Sequence, residues 1–265
     1  MKKINHNHPY HLVDPSPWPL IASLASLFFT FGIVMYIHGY ESGFFLLNFG
    51  LIFLLFISGL WWRDIVREAT YEGHHTLKVQ KGLRIGISLF LVSEIIFFFG
   101  FFWAFFHSSL NPIFTIGGVW PPVGIETINP WNLPFLNTLI LLCSGFTLTW
   151  AHHALLLKGK KQSLIPLVFT LILALLFTSL QAYEYQCAPF SISDGIYGSI
   201  FYIATGFHGF HVLIGSIFLG VGALRLIANH FSRSHHFGFE AAAWYWHFVD
   251  VIWLLLFVVI YWWGN

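Results

Sequence analysis

The chain has 265 residues, 57% of them hydrophobic and only 9% charged, with a formal net charge of +1. A soluble domain carries about one quarter charged residues, and a chain this short of charge could not cover its own surface, so lipid is its solvent. A charge this close to neutral supplies no field for nucleic acid, and no nucleic-acid partner is expected.

The N-terminal stretch MKKINHNHPYHLVDPSPWP reads as neither a transit peptide nor a cleaved signal. Beyond it, a hydrocarbon core about 30 Å thick needs about 20 apolar residues per helical crossing. Such stretches fall at about 17–38, 43–62, 83–106, 133–155, 163–186, 196–224 and 239–263. Backbone groups in lipid must be bonded within the segment, so each stretch is a helix. The expected fold is all-α: one polytopic domain, 1–265, with seven transmembrane helices packed largely up and down. Gly82 and Gly86, Gly206 and Gly209, and Ala241 to Ala243 are the small residues expected to admit close helix approach.

Charge supports the span count. Lys2 and Lys3 precede the first span, and Arg63, Arg67, Lys78, Lys81 and Arg84 flank the second connection. Lys158, Lys160 and Lys161 fill the fourth connection, and Arg225 and Arg233 flank the sixth, which accounts for all 12 basic residues. The odd connections and the C-terminus hold none. Seven spans with the N-terminus inside predict this alternation, and one span more or fewer breaks it.

Several ionisable groups lie within the spans. Glu94 sits mid-span among Phe90, Leu91, Phe97 and Phe98. Burial there disfavours the anion, which leaves either a structural carboxyl donating one interhelical hydrogen bond or a proton-relay group. Asp250 lies one turn beyond His247, and GFHGFH places His208 and His211 on one face of the sixth span. A hydrogen bond from Asp250 to one of these sixth-span histidines would join the last two helices. Glu184, near an uncharged connection, is expected to reach water.

The 15 histidines suggest metal only superficially. Most lie in tails or connections, and vicinal pairs such as His152-His153 point about 100° apart on a helix. His208 or His211 with His247 is the nearest candidate pair for a haem between spans, and no metal ligand is assigned. HExxH and Cys-x-x-Cys motifs are absent from the sequence. Cys143 and Cys187 lie about 15 Å apart in depth, too far for a disulfide.

The second span ends in WWRDIVREATYEGHH, with Trp62 at the interface. Arg63 and Arg67 share one helical stripe, with Asp64 and Glu68 on the next, so intrahelical pairing is available. An Arg fork holding a lipid phosphate, with His75 assisting and Arg225 contributing, is the accompanying possibility.

The motifs YHLVDPSPWP, WWRDIVRE, EGHHT, SEIIFFFGFFWAFFHSS, WPP, PFLNT, TWAHH, SISDGIYGS, ATGFHGFHV, HHFGFEAAAWYWHFVDVIW and YWW run nearly end to end. In this order they resemble subunit 3 of the haem-copper cytochrome c oxidases. The resemblance implies two helices split from five by a lipid-filled cleft, beside the catalytic subunit. It implies a non-redox role: stabilising that subunit and supporting proton uptake and oxygen access while the complex transfers electrons from cytochrome c to oxygen and pumps protons. Haem and copper would sit in partner subunits, and none in this chain. The implied partners are subunits 1 and 2, accessory subunits and structural phospholipids (cardiolipin, phosphatidylethanolamine or phosphatidylglycerol). Trp62, Arg63, Arg67, Glu68, His75 and Arg225 fall at positions implied to meet lipid headgroups, and Glu94 matches the family's intramembrane glutamate. The implied location is the mitochondrial inner membrane, N-terminus in the matrix and C-terminus in the intermembrane space; a bacterial plasma membrane is the alternative. The rival function, a stand-alone transporter or proton channel using Glu94, Asp250 and the histidines, lacks the internal repeats such folds usually carry.

Overall fold

A computed structural model describes residues 8–157 and 159–265. Lys2, Lys3 and Lys158, three of the basic residues used to count spans, lie outside the described residues. The elements are α1 (Trp18–Ile37), α2 (Gly43–Thr70), α3 (Leu77–Leu110), α4 (Leu133–Leu157), α5 (Lys160–Cys187), α6 (Gly195–Ile227) and α7 (Phe237–Leu256). A short 3₁₀ turn lies in the α3–α4 connection at Phe114–Ile116, and α7 runs on as a π-helical segment, Phe257–Trp263. All seven helices are long and apolar enough to cross a membrane.

The helices outrun the predicted spans at the basic ends. α2 continues to Thr70 and α3 starts at Leu77, so Arg63, Arg67, Lys78 and Lys81 stand on helical extensions. At 1.5 Å per residue the 34 residues of α3 reach about 51 Å, well past the hydrocarbon core.

The chain divides into two compact units, Met1–Leu83 and Arg84–Asn265. In the first, α1 packs on α2 through glycines. A Cβ at Gly32 would run into the backbone of Leu47, one at Gly43 into Tyr36, and one at Gly50 into Phe29. These glycines supply the close approach expected of small residues in membranes. By contrast, a Cβ at Gly82, Gly86 or Gly209 would meet nothing within this chain. Trp18 Nε1 donates to Asp64 Oδ2 at 2.8 Å and ties the start of α1 to the end of α2.

In the second unit α7 is the centre. It packs on α4 and α6, and α5 packs on both α4 and α6. Its Ala241, Ala242 and Ala243 are buried, and so are Trp246 and Trp253. The two indoles donate across to α4: Trp246 Nε1 to Ser144 Oγ at 2.9 Å and Trp253 Nε1 to Thr138 Oγ1 at 3.0 Å. Small polar residues on α4 thus satisfy the only polar atoms of the largest core side chains, which hydrocarbon could not do. α3 contributes through long side chains, with Phe98 and Phe105 buried. Cys143 and Cys187 are free thiols.

Candidate functional site

The sequence places five polar groups of interest, Glu94, His208, His211, His247 and Asp250, within the α3, α6 and α7 spans, and the structure pairs them differently from the expectation. Glu94 Oε2 lies 2.9 Å from His211 Nε2, so α3 is joined to α6. His211 Nδ1 lies 2.6 Å from the carbonyl of Phe207, which can only accept. Nδ1 therefore carries the hydrogen, and one proton lies between Nε2 and the carboxyl. Aromatic rings of Phe97, Phe98, Tyr245 and Phe248 surround the His211 ring.

His208 and Asp250 do not meet as a pair. His208 Nε2 is 3.2 Å from the Val249 carbonyl, an α6–α7 link made to backbone. Asp250 Oδ2 instead faces His247 Nδ1 on its own helix at 3.3 Å, and His247 Nε2 reaches Thr149 Oγ1 of α4 at 3.4 Å. The Asp250 carboxylate has room because residue 145 is glycine: a Cβ there would sit 2.5 Å from Oδ2. The expected α6–α7 carboxylate–histidine bond is thus corrected to an α4–α7 string, Asp250–His247–Thr149. α6 turns His211 to α3, and that leaves no sixth-span ring for Asp250.

Glu184 is also corrected. It is buried at 3% exposure rather than open to water. Tyr261 donates to its Oε1 at 2.6 Å and Gln181 at 2.9 Å, and Gln181 in turn accepts from Asn137 at 3.4 Å. The sequence signal for this network is weak: Tyr261 is the one hydroxyl in the apolar run FVVIYWW that extends α7.

The basic ends form two local groups. In the first unit Arg63 pairs with Asp64 at 2.8 Å and Glu68 faces His11 at 3.6 Å, while Trp62 is exposed. Of the predicted pairing of Arg63 and Arg67 with Asp64 and Glu68, the structure forms the adjacent Arg63–Asp64 pair, while Glu68 turns to His11 of the N-terminal segment. His75 stands just before α3, where Gln80 Nε2 donates to its carbonyl at 3.1 Å. Arg225 belongs to the second unit. Its guanidinium lies 4.6 Å from the Phe231 ring centroid, and its buried Nε has no hydrogen-bond partner. Burial first, and then the Arg225 charge, hold His230 and His235 below the usual histidine range.

Within that unit the even-numbered connections are tied together at one end. Lys160 Nζ donates to the Ile227 carbonyl at 2.5 Å, and Arg233 donates to the Leu157 carbonyl at 3.1 Å. Arg84 Nε donates to Glu240 Oε2 at 2.9 Å. Lys160 and Arg233 thus cap carbonyls left over at helix ends, and Arg84 ties α3 to a carboxylate of α7.

Residues 8–265 match the protein family described as Cytochrome c oxidase subunit III. A relative from Prototheca wickerhamii, named Cytochrome c oxidase subunit 3, is 63% identical over 97% of this chain and 98% of its own length. Proteins of the same name from Arabidopsis thaliana and Cyprinus carpio are 61% and 57% identical, covering 98% and 97% of this chain and 98% of each relative.

Proposed function

The chain belongs to the cytochrome c oxidase subunit III family, and from that premise we propose that its part in the oxidase is to hold and protect the catalytic subunit without carrying electrons. As a family member it is a membrane-embedded subunit of an oxidoreductase complex and works among other oxidase subunits. The observation that supports the non-redox reading is how the intramembrane histidines are engaged. His208 is bonded to backbone, His211 to Glu94 and Phe207, and His247 lies between Asp250 and Thr149. The contacts to Val249, Glu94 and Thr149 join helices, which is what a scaffold needs. Haem and copper would then belong to the partners, subunits 1 and 2.

Helices α1, α2 and α3 expose most of their apolar side chains, far more than an isolated surface tolerates. Lipid and partner helices are the covers this reading supplies. In the first unit Trp62, Arg63, Arg67, Glu68 and His75 would meet phospholipid headgroups; in the second Arg225 would, its unpartnered Nε suiting a phosphate oxygen. Cardiolipin, phosphatidylethanolamine and phosphatidylglycerol all offer that oxygen. Support of proton uptake and oxygen access belongs to the same reading. So does residence in the mitochondrial inner membrane, with the basic side in the matrix, the N-terminus there and the C-terminus in the intermembrane space.

The test is depletion. Oxidase purified without this chain should keep its haem and copper content and its initial rate of cytochrome c oxidation, but lose activity several-fold faster during turnover. Loss of haem or copper in step with the chain would overturn the reading.

A further inference from the structure

Where α4 ends and α7 begins, three side chains of metal-ligating type meet. His152 stands on the last turns of α4, His236 directly precedes α7, and Glu240 lies in the first turn of α7. One ligand atom from each lies within 4.8 Å of the others. Vicinal histidines do not chelate together, and here they are not asked to: one ring comes from His152-His153 and one from His235-His236.

Each group is oriented as a ligand. His236 Nδ1 lies 3.1 Å from the Ser232 carbonyl, so Nδ1 bears the hydrogen and the Nε2 lone pair is directed away from it. Glu240 Oε2 is held by Arg84 Nε at 2.9 Å, which leaves Oε1 facing His236 Nε2 at 3.5 Å. His152 Nε2 is buried with no hydrogen-bond partner. His236 is 6% exposed, and the His152 and His236 ring centroids are 5.6 Å apart. Helix packing alone explains the His236–Glu240 pair, but not a buried imidazole nitrogen of His152 left without a partner in a ring beside that of His236.

We propose that His152, His236 and Glu240 form a divalent-cation site, matched to Zn²⁺, that staples the end of α4 to the start of α7. Two imidazole nitrogens and one carboxylate oxygen suit zinc, whereas calcium and magnesium take oxygen ligands. Ligands at tetrahedral zinc stand about 3.3 Å apart for bonds of about 2.0–2.1 Å, so a small rotation of the His152 ring closes the site. Three protein ligands leave a fourth position for water. Arg84 plays the part of a second-shell donor that fixes the carboxylate. Its charge and the N-terminal dipole of α7 both oppose a cation, so the site binds more weakly than closed four-ligand sites do.

The experiment uses the intact oxidase complex, equilibrated with zinc chloride at neutral pH, desalted, and assayed for zinc by mass spectrometry. Wild type should retain one more zinc ion per complex than His152→Phe, and Glu240→Gln should raise the half-saturating zinc concentration by roughly tenfold or more. Equal zinc uptake by wild type and an assembled His152→Phe complex would overturn the site. Should that variant fail to assemble, anomalous scattering at the zinc edge from wild-type crystals decides. Density within bonding distance of His152, His236 and Glu240 supports the site, and its absence while other zinc positions appear overturns it.

Discussion

Glu94 and His211 meet at 2.9 Å between α3 and α6, and a single proton serves the contact because the other ring nitrogen is committed to the Phe207 carbonyl. A glutamine at position 94 can still donate to Nε2. Glu94→Gln should therefore assemble and turn over as the parent does. Glu94→Ala removes the bond and should lower the stability of the complex by about 1 kcal/mol, the scale of interhelical hydrogen bonds in membranes. Thermal inactivation of the two purified variants checks the pair. Complete loss of turnover in Glu94→Gln with haem and copper intact would make the carboxyl a chemical participant, contrary to this reading.

The α1–α2 pair depends on backbone contact at Gly32, Gly43 and Gly50. Any side chain at Gly50 must push Phe29 backbone aside, and backbone cannot yield as a flexible side chain does. Gly50→Val should separate the hairpin and sharply reduce accumulated complex. Gly86→Val, where a Cβ would meet nothing, should be tolerated. Subunit yield by immunoblot, measured side by side, checks the contrast.

How far the sequence reached is clear from these residues. The seven spans were legible because bilayer thickness fixes a length and the basic residues alternate by connection. Helix ends were less so: α2 and α3 run on through residues 63–70 and 77–82, as helical sequence continues past the hydrocarbon without any hydropathy signal. Periodicity puts Glu94, His211 and Asp250 on faces of their own helices. Which helices those faces meet is a tertiary fact, so Asp250 was matched to the wrong partner and Glu94 to none. The same limit explains the glycines, since spacing finds small residues but not the ones a neighbour approaches. The Trp246–Ser144 and Trp253–Thr138 bonds escaped for that reason too. The Cytochrome c oxidase assignment came from motif order, which packing does not disturb.

Arg67 tests the headgroup reading of the first unit. Arg67→Ala removes one guanidinium from the α2 end while leaving the Arg63–Asp64 pair and the Trp18–Asp64 bond in place. The fold of the hairpin should survive, and phospholipid retained per complex after detergent washing should fall. Arg67→Lys keeps the charge but loses the bidentate fork, and should fall between the two. Lipid mass spectrometry normalised to haem supplies the measurement; unchanged lipid in Arg67→Ala would remove Arg67 from the headgroup contacts.

Glu184 and Tyr261 are both buried and join α5 to the last turns of the chain. Oε1 of Glu184 accepts from both Tyr261 and Gln181. Three outcomes separate by how many partners each substitution orphans. Glu184→Gln keeps an oxygen that can accept and should cost little. Tyr261→Phe removes one donor but leaves the Gln181 bond, and should cost about 1 kcal/mol. Glu184→Leu strands both donors in apolar surroundings, and each orphaned polar group costs about 1–3 kcal/mol, so it should be the most damaging despite being the most apolar change. Thermal denaturation of the three variants gives the order directly. A Glu184→Leu complex as stable as wild type would show that the network contributes nothing to holding α7's extension against α5.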